Sequence, residues 1–291
     1  MEPLAGAVRQ GLGLIGLVAA GIGARRAPIL AALLAAALTL AAIPVPAQPF
    51  TVDRAAIDAA VSDPERPAAD RDRDSSSKPA EVLAFLGIAP GMRVLDMNAA
   101  TGWYTELLAR VVGPRGHVIA YNHPGARATL APQDFERRYG GNRLPNVEQL
   151  FVAHNGIALP AGSLDAVLLS MVYHDTHWYD PKIDWGPVDQ RVLLRSLYMA
   201  LAPGGFVGVI DHHAAPGTDP RVSAIETHRI DADVVRADFA AAGFTLEVES
   251  DVLRNAADDR RTSVFDDAIR GRTDRFVLRF RKVGGSARAV R

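Results

Sequence analysis

Cysteine is absent from the 291 residues, which removes disulfides, thiolate metal ligands, a thiol nucleophile and a lipidated cysteine behind a processed N-terminus. A chain without thiols is chemically at ease in an oxidising compartment. An excess of either charge is also missing, since 32 Lys and Arg stand against 33 Asp and Glu. No net field draws such a chain to a polyanion, so nucleic acid is not an expected partner. There is no internal repeat. No G-x-G-x-x-G occurs in "DMNAATG" (Asp96 to Gly102), which argues against a nicotinamide oxidoreductase, because a dinucleotide pyrophosphate needs that spacing.

Charge is scarcest in residues 1–47, where Glu2 is the only acid and Arg9, Arg25 and Arg26 are the only bases. Arg25 and Arg26 give a positive flank, Ile29 to Ile43 an apolar stretch, and Val45-Pro46-Ala47 a small-residue end before Gln48. This is the pattern of an export signal, and it predicts a periplasmic product. The alternative is retention as a membrane anchor, because the uncharged run Ala27 to Ala47 has 21 residues, about enough to cross a bilayer. Residues 48–78, with Pro64, Pro67 and the charge run "ADRDRDSSSK", read as a polar linker with a short helix near Val52 to Val61. Residues 79–283 read as one domain, and 284–291 as a disordered tail.

From Pro79 apolar strands and amphipathic helices alternate, with turns at Pro90-Gly91, Gly113 to Gly116 and Pro203-Gly204-Gly205. This βαβ series predicts an α/β, Rossmann-like doubly wound, seven-stranded, mostly parallel sheet, with one antiparallel strand near the C-terminus. Phe244 to Val252 and Arg275 to Lys282 alternate apolar and polar residues, as edge strands with one wet face would. Ligands of such sheets bind beyond the carboxyl ends of the strands, where strand order reverses. The candidate residues are therefore Asp96 to Gly102, Tyr121-Asn122, His154-Asn155-Gly156, Ser170 to Asp175, and Asp211-His212-His213.

In order and spacing, "PGMRVLDMNAATGWYTELLA", "HVIAYN", "NGIALPAGSLDAVLLS" and "LAPGGFVGVID" resemble the class I S-adenosylmethionine-dependent methyltransferases. The likeness runs from about Pro79 to Lys282. More narrowly, "GWYTE", "VYHD", "HRID" and the ending "SVFDDAIRGRTDRFVLRFRK" look like a group of exported bacterial methyltransferases. The resemblance implies S-adenosylmethionine as cofactor and a small molecule or envelope component as methyl acceptor. It implies that Asp96 holds the turn under the methionine part and that Gly102 opens a helix whose N-terminus receives the carboxylate. Asn122 stands where the family usually has an acid gripping the ribose, and Asn155 where an Asp usually touches adenine. Asn98, Ala100, Tyr104 and Ser170 complete the implied cofactor set.

Asn98 and Ala100 replace glycines of the usual turn. Asn is the side chain that best tolerates the left-handed region and Ala adds only a methyl, so the turn can still form, on a narrower bed. Methyl transfer from a sulfonium needs alignment and sometimes a base. His174 with Asp175, and Asp211 with its neighbours His212 and His213, are expected to act as base and orienter, while His228 either joins them or only precedes a helix N-cap at Asp231. These residues match no short metal motif, and no metal is assigned. A metal-dependent hydrolase built on His174, Asp175, Asp211, His212 and His213, and a non-catalytic binding protein on the same scaffold, are the rival readings. Residues 254–274 are either a lid or a solvated excursion, and Arg260, Arg261, Arg270 and Arg272 could hold an anionic substrate. No membrane partner is expected beyond an uncleaved signal, and nothing in the sequence sets an oligomeric state.

Overall fold

A computed structural model of the chain describes residues 50–183 and 185–283. The expected export signal and C-terminal tail lie outside the described residues. Helices α1 (Arg54–Ser62), α2 (Ala68–Asp72), α3 (Asp74–Ser77) and α4 (Pro79–Leu86) come first. The alternating part follows as β1 (Arg93–Met97), α5 (Trp103–Val112), β2 (His117–Asn122), α6 (Ala126–Thr129), α7 (Pro132–Tyr139), β3 (Val147–Phe151) and β4 (Leu164–Ser170). It ends with α8 (Gln190–Ala200), β5 (Leu201–His212), α9 (Pro220–Thr227), α10 (Ala232–Ala241), β6 (Phe244–Ser250) and β7 (Arg275–Lys282). None of these helices is long and apolar enough to cross a membrane.

The seven strands form one sheet in the order β3-β2-β1-β4-β5-β7-β6. Strands β1 to β5 pair in parallel, and β7 is antiparallel to both of its neighbours. The central strand shows why the sheet is buried on both faces. Successive side chains of a strand point to opposite faces, so Val94 enters one apolar cluster with Leu83, Leu107 and Leu108, and Leu95 and Met97 enter another with Val167, Leu194 and Phe239. Asp96 shares the face of Val94 and therefore looks toward α5. That helix starts at Gly102, whose φ is +84°.

Two expectations are corrected. Strand β7 is not an edge: it lies between β5 and β6, with Phe276, Val277, Leu278 and Phe280 buried. The polar alternation that suggested a wet face is neutralised by neighbours, because Arg279 lies over the Phe206 ring at 4.4 Å and Glu247 of β6 pairs with Arg279 at 3.0 Å and Arg281 at 2.6 Å. The second is the polar linker, which packs on the domain. Ile57 of α1 is wholly buried, the Arg66 guanidinium is buried against Asp74 at 2.6 and 2.9 Å, and the Trp103 indole donates to the Asp70 carbonyl at 3.0 Å. Two of its acids are paired rather than solvated, Asp74 with Arg66 and Asp70 with Arg138 at 2.7 Å.

Candidate functional site

Strand order reverses between β1 and β4, and the turn leaving β1 forms one wall of the crevice there. Asn98 and Ala100 both have φ of +50°, so two non-glycine residues occupy the left-handed region. Hydrogen bonds hold them. The Ala100 N–H donates to Asn122 Oδ1 at 2.9 Å and Asn122 Nδ2 donates to the Ala100 carbonyl at 3.1 Å, while the Ala99 N–H donates to the Tyr121 carbonyl at 2.9 Å. Asn122 is thus a clamp on the turn, where sequence reasoning had it gripping a sugar. A carboxylate could accept from Ala100 but could not donate back, which accounts for an amide here. Asn98 turns its Nδ2 toward His154 Nε2 at 2.9 Å, which leaves Asn98 Oδ1 buried without a partner. Gly102 is forced by space as well as by φ, since a Cβ there would stand 2.3 Å from the Tyr139 hydroxyl.

The crevice opens into a cavity of about 740 Å³, within the range of cofactor and ligand pockets. Asp96, Asn98, Ala100, Tyr104, Asn122 and Ser170 all border it. Asp96 is buried and accepts a 2.6 Å hydrogen bond from Thr105 of α5. Burial pushes its carboxyl up to about 7, against the Thr105 hydrogen bonds that favour the ionised form. Ser170 Oγ is a second buried polar atom without a partner. Trp178, Trp185, Ile183, Val264 and Phe265 make the opposite side largely apolar. Arg73, from the segment expected to be linker, also reaches the cavity, stacked over Trp103 at 4.6 Å.

The tips of β4 and β5 bring His174, Asp175 and Asp211 together. His174 Nδ1 is 2.7 Å from Asp211 Oδ1, its backbone N–H donates to Asp211 Oδ2 at 3.0 Å, and its Nε2 is 3.2 Å from Asp175 Oδ1. Burial opposes a charge on this ring, yet Asp211 and Asp175 hold it well above the usual imidazole range. Both nitrogens are engaged. Asp211 thus orients the ring through Nδ1, as expected of an orienter, and Asp175 stands at Nε2. His212 bonds Thr273 Oγ1 through Nδ1 at 2.7 Å, and burial, reinforced by the His174 charge, lowers it well below the usual range. Burial and the same charge also lower His228, which faces the cavity from the end of α9.

Other expected residues lie elsewhere. Asn155 is exposed and spends its amide on the Pro187 carbonyl at 3.3 Å and the Asp189 N–H at 3.1 Å; its neighbour His154 is the buried one, stacked on His123. His213 packs edge-on against Phe276, away from the cavity. The arginines of residues 254–274 do not line it either: Arg260 pairs with Asp274 at 2.9 Å, Arg270 donates to the Phe265 carbonyl at 2.8 Å and Arg272 to the Ala268 carbonyl at 2.6 Å. From that segment only Val264 and Phe265 reach the cavity. Sequence reasoning missed Arg73, Trp178, Trp185 and Thr105, none of which stands in a recognisable pattern.

The family model for protein-L-isoaspartate(D-aspartate) O-methyltransferase matches residues 68–138, which span α2 to α7. Among curated proteins, the chain is 29% identical over 128 residues to an arsenite methyltransferase of Halobacterium salinarum, covering 44% of this chain and 29% of that one. It is 28% identical over 134 residues to a ubiquinone/menaquinone biosynthesis C-methyltransferase UbiE of Vibrio campbellii, covering 46% of each. The chain thus spans less than half the length of these relatives. Among solved structures, an S-adenosylmethionine-dependent methyltransferase from Aquifex aeolicus superposes with a TM-score of 0.51 at 20% identity, over 80% of this chain and all of that one. One from Mesorhizobium loti gives 0.50 at 15% identity, over 72% and 99%. The chain has the fold of the class I S-adenosylmethionine-dependent methyltransferases. The seven-stranded sheet with its reversed β7 is that fold.

Proposed function

We propose that the protein transfers the methyl group of S-adenosylmethionine to a small acceptor, and that it does so in the bacterial envelope. One observation carries the reading. The crevice at the tips of β1 and β4 stays open, at about 740 Å³, although Asn98 and Ala100 take the place of glycines. Asn98 and Ser170 border it, and their buried Oδ1 and Oγ atoms have no protein partner, which costs roughly 1–3 kcal/mol each.

When bound, the cofactor supplies an electrophilic methyl on a sulfonium. The chain's own residues do the rest by holding and excluding. Asp96 and the Ala99 to Thr101 backbone form the bed, Asn122 keeps that bed in shape, and Tyr104 closes the side toward α5. The aromatic side of the cavity keeps water from the reacting centre and favours an acceptor with an apolar or planar body. Membership of the exported bacterial group rests on "GWYTE", "VYHD", "HRID" and the ending "SVFDDAIRGRTDRFVLRFRK", and a periplasmic site of action on the N-terminal pattern described above.

Calorimetry on the purified full chain tests the reading. S-adenosylmethionine and its demethylated product are expected to bind with one-to-one stoichiometry, and Ala100→Leu, which fills the bed, to abolish both. A folded chain that binds neither at millimolar ligand refutes methyl transfer and leaves a scaffold.

A further inference from the structure

The cavity wall opposite the β1 turn carries a cluster that the fold-level likeness does not assign. A His174 ring nitrogen, an Asp175 carboxylate oxygen and a His228 ring nitrogen all lie within 4.8 Å of one another. They come from the loop after β4 and from the end of α9, so the topology rather than a local motif assembles them, which is why no spacing rule finds them. We propose that these three residues bind a first-row divalent cation of the zinc class, with its remaining coordination positions open to the cavity.

Four observations support this. The donor set is two imidazoles and one carboxylate, which suits such ions and leaves the rest of the shell for water or substrate. With metal bonds of about 2.0–2.1 Å, tetrahedral ligand atoms sit about 3.4 Å apart, and His174 Nε2 and Asp175 Oδ1 are already at 3.2 Å. The second shell is in place as well. Asp211 holds His174 Nδ1 at 2.7 Å, which points Nε2 toward the metal position, and the Trp178 indole donates to Asp175 Oδ1 at 3.0 Å. Metal-binding imidazoles are typically oriented by a carboxylate in this manner.

The fourth observation concerns His228. It stands at the C-terminal end of α9 with φ of +53° and ψ of +52°, where glycine is the usual residue because a side chain costs strain. Its ring is fixed between Phe265 at 4.7 Å, His174 at 5.4 Å and Trp178 at 6.4 Å. A backbone that accepts a left-handed imidazole and packs rings around it fits a residue kept for its nitrogen.

With the methyl-transfer reading, the metal would also bind an oxygen of the acceptor, which makes that acceptor a hydroxyl or oxyanion. This last step rests on the proposed function; the metal site does not. The test therefore uses zinc alone. The full chain is stripped with a chelator and titrated with Zn²⁺ by calorimetry, without any methyl donor. One equivalent is expected to bind at micromolar or lower concentration. His228→Ala and Asp175→Ala are each expected to weaken binding about 100-fold or more, and Asp211→Asn about 10- to 100-fold through ligand orientation. His117→Ala, at an exposed histidine on β2, is expected to leave it unchanged. Circular dichroism of each variant confirms folding. Absence of zinc binding by the wild type, or binding that survives His228→Ala unchanged, overturns the proposal.

Discussion

Replacing Asp96 by Asn tests the electrostatics of the cavity floor. Burial raises this carboxyl from 3.8 to about 7, so between roughly pH 4 and pH 7 the folded protein keeps a proton that the unfolded chain has released. The contribution of the group to stability is therefore complete at low pH, declines as the pH rises through that window, and is constant above it. Each pKa unit corresponds to about 1.4 kcal/mol, which makes the full effect of order 4 kcal/mol and the part between pH 5 and pH 8 about 2–3 kcal/mol. An Asn retains the neutral shape and can still accept from Thr105, but it does not titrate. Urea unfolding of wild type and Asp96→Asn at pH 5, 6, 7 and 8 gives the comparison. Several buried histidines titrate in the opposite sense, His154 and His213 both being pushed down to about 4, chiefly by burial, so the informative quantity is the difference between the two proteins. The stability of the variant relative to the wild type is expected to rise by about 2–3 kcal/mol between pH 5 and pH 8. Parallel profiles would refute the raised carboxyl and with it the dry, apolar description of the floor.

Other substitutions probe the frame. Asn122→Asp restores the acid usual in the family, yet it removes the donor to the Ala100 carbonyl; a loss of about 1–3 kcal/mol is expected, read as a lower thermal midpoint, and a gain in cofactor affinity without that loss would contradict the clamp. Gly102→Ala combines a φ of +84° with a contact of 2.3 Å to Tyr139, so a cost of about 1–3 kcal/mol from strain alone is expected in denaturant melts; a neutral effect would mean that the turn is wrongly placed. Arg229→Ala leaves Asp258 buried and unpaired after removing contacts of 2.8 and 3.0 Å. A drop of about 3–5 kcal/mol is expected, together with faster proteolysis within residues 254–274, and an unchanged melting curve would count against a buried pair.

Legibility of the sequence divided along a physical line. Elements whose signal is periodic were readable: β1, β4 and β5 as apolar runs, α8 and α10 from apolar spacing, and the reversal near the C-terminus. The left-handed turn was readable too, because the tolerance of Asn for positive φ is an intrinsic property of one residue. What escaped was pairing. The run Ala69 to Lys78 looks solvated in one dimension, since the partners of its charges, Arg66 and Arg138, stand outside it. The same holds for Arg279 and Arg281, whose charge is met by Glu247 across the β6–β7 ladder. Glu106 is the extreme case. On composition it is a surface residue of α5, whereas its side chain is fully buried, and although burial opposes its charge, Arg143, Arg110 and Arg138 hold it below the usual carboxylate range.

That pairing also explains how the site tolerates its departures from the family pattern. Glycines in the β1 turn would let the backbone fold without help. Here Asn98 and Ala100 hold the same left-handed conformation at a cost of order 1–3 kcal/mol each, and side chains of other elements offset it: Asn122 from β2 with two hydrogen bonds, His154 from beyond β3 with one. Conformational freedom given up by the turn is replaced by tertiary restraint, which fixes the shape of the bed before any ligand arrives. The amides that resemble lost cofactor contacts are spent on the protein itself, and two buried acceptors, Asn98 Oδ1 and Ser170 Oγ, are left without protein partners in residues that border the cavity. Isothermal titration of Asn98→Gly follows from this: it removes one of those acceptors together with the His154 bond, so cofactor affinity is expected to fall about tenfold although the turn becomes closer to the family pattern. A variant that binds more tightly would show that the bed, and not the orphaned acceptor, limits the interaction.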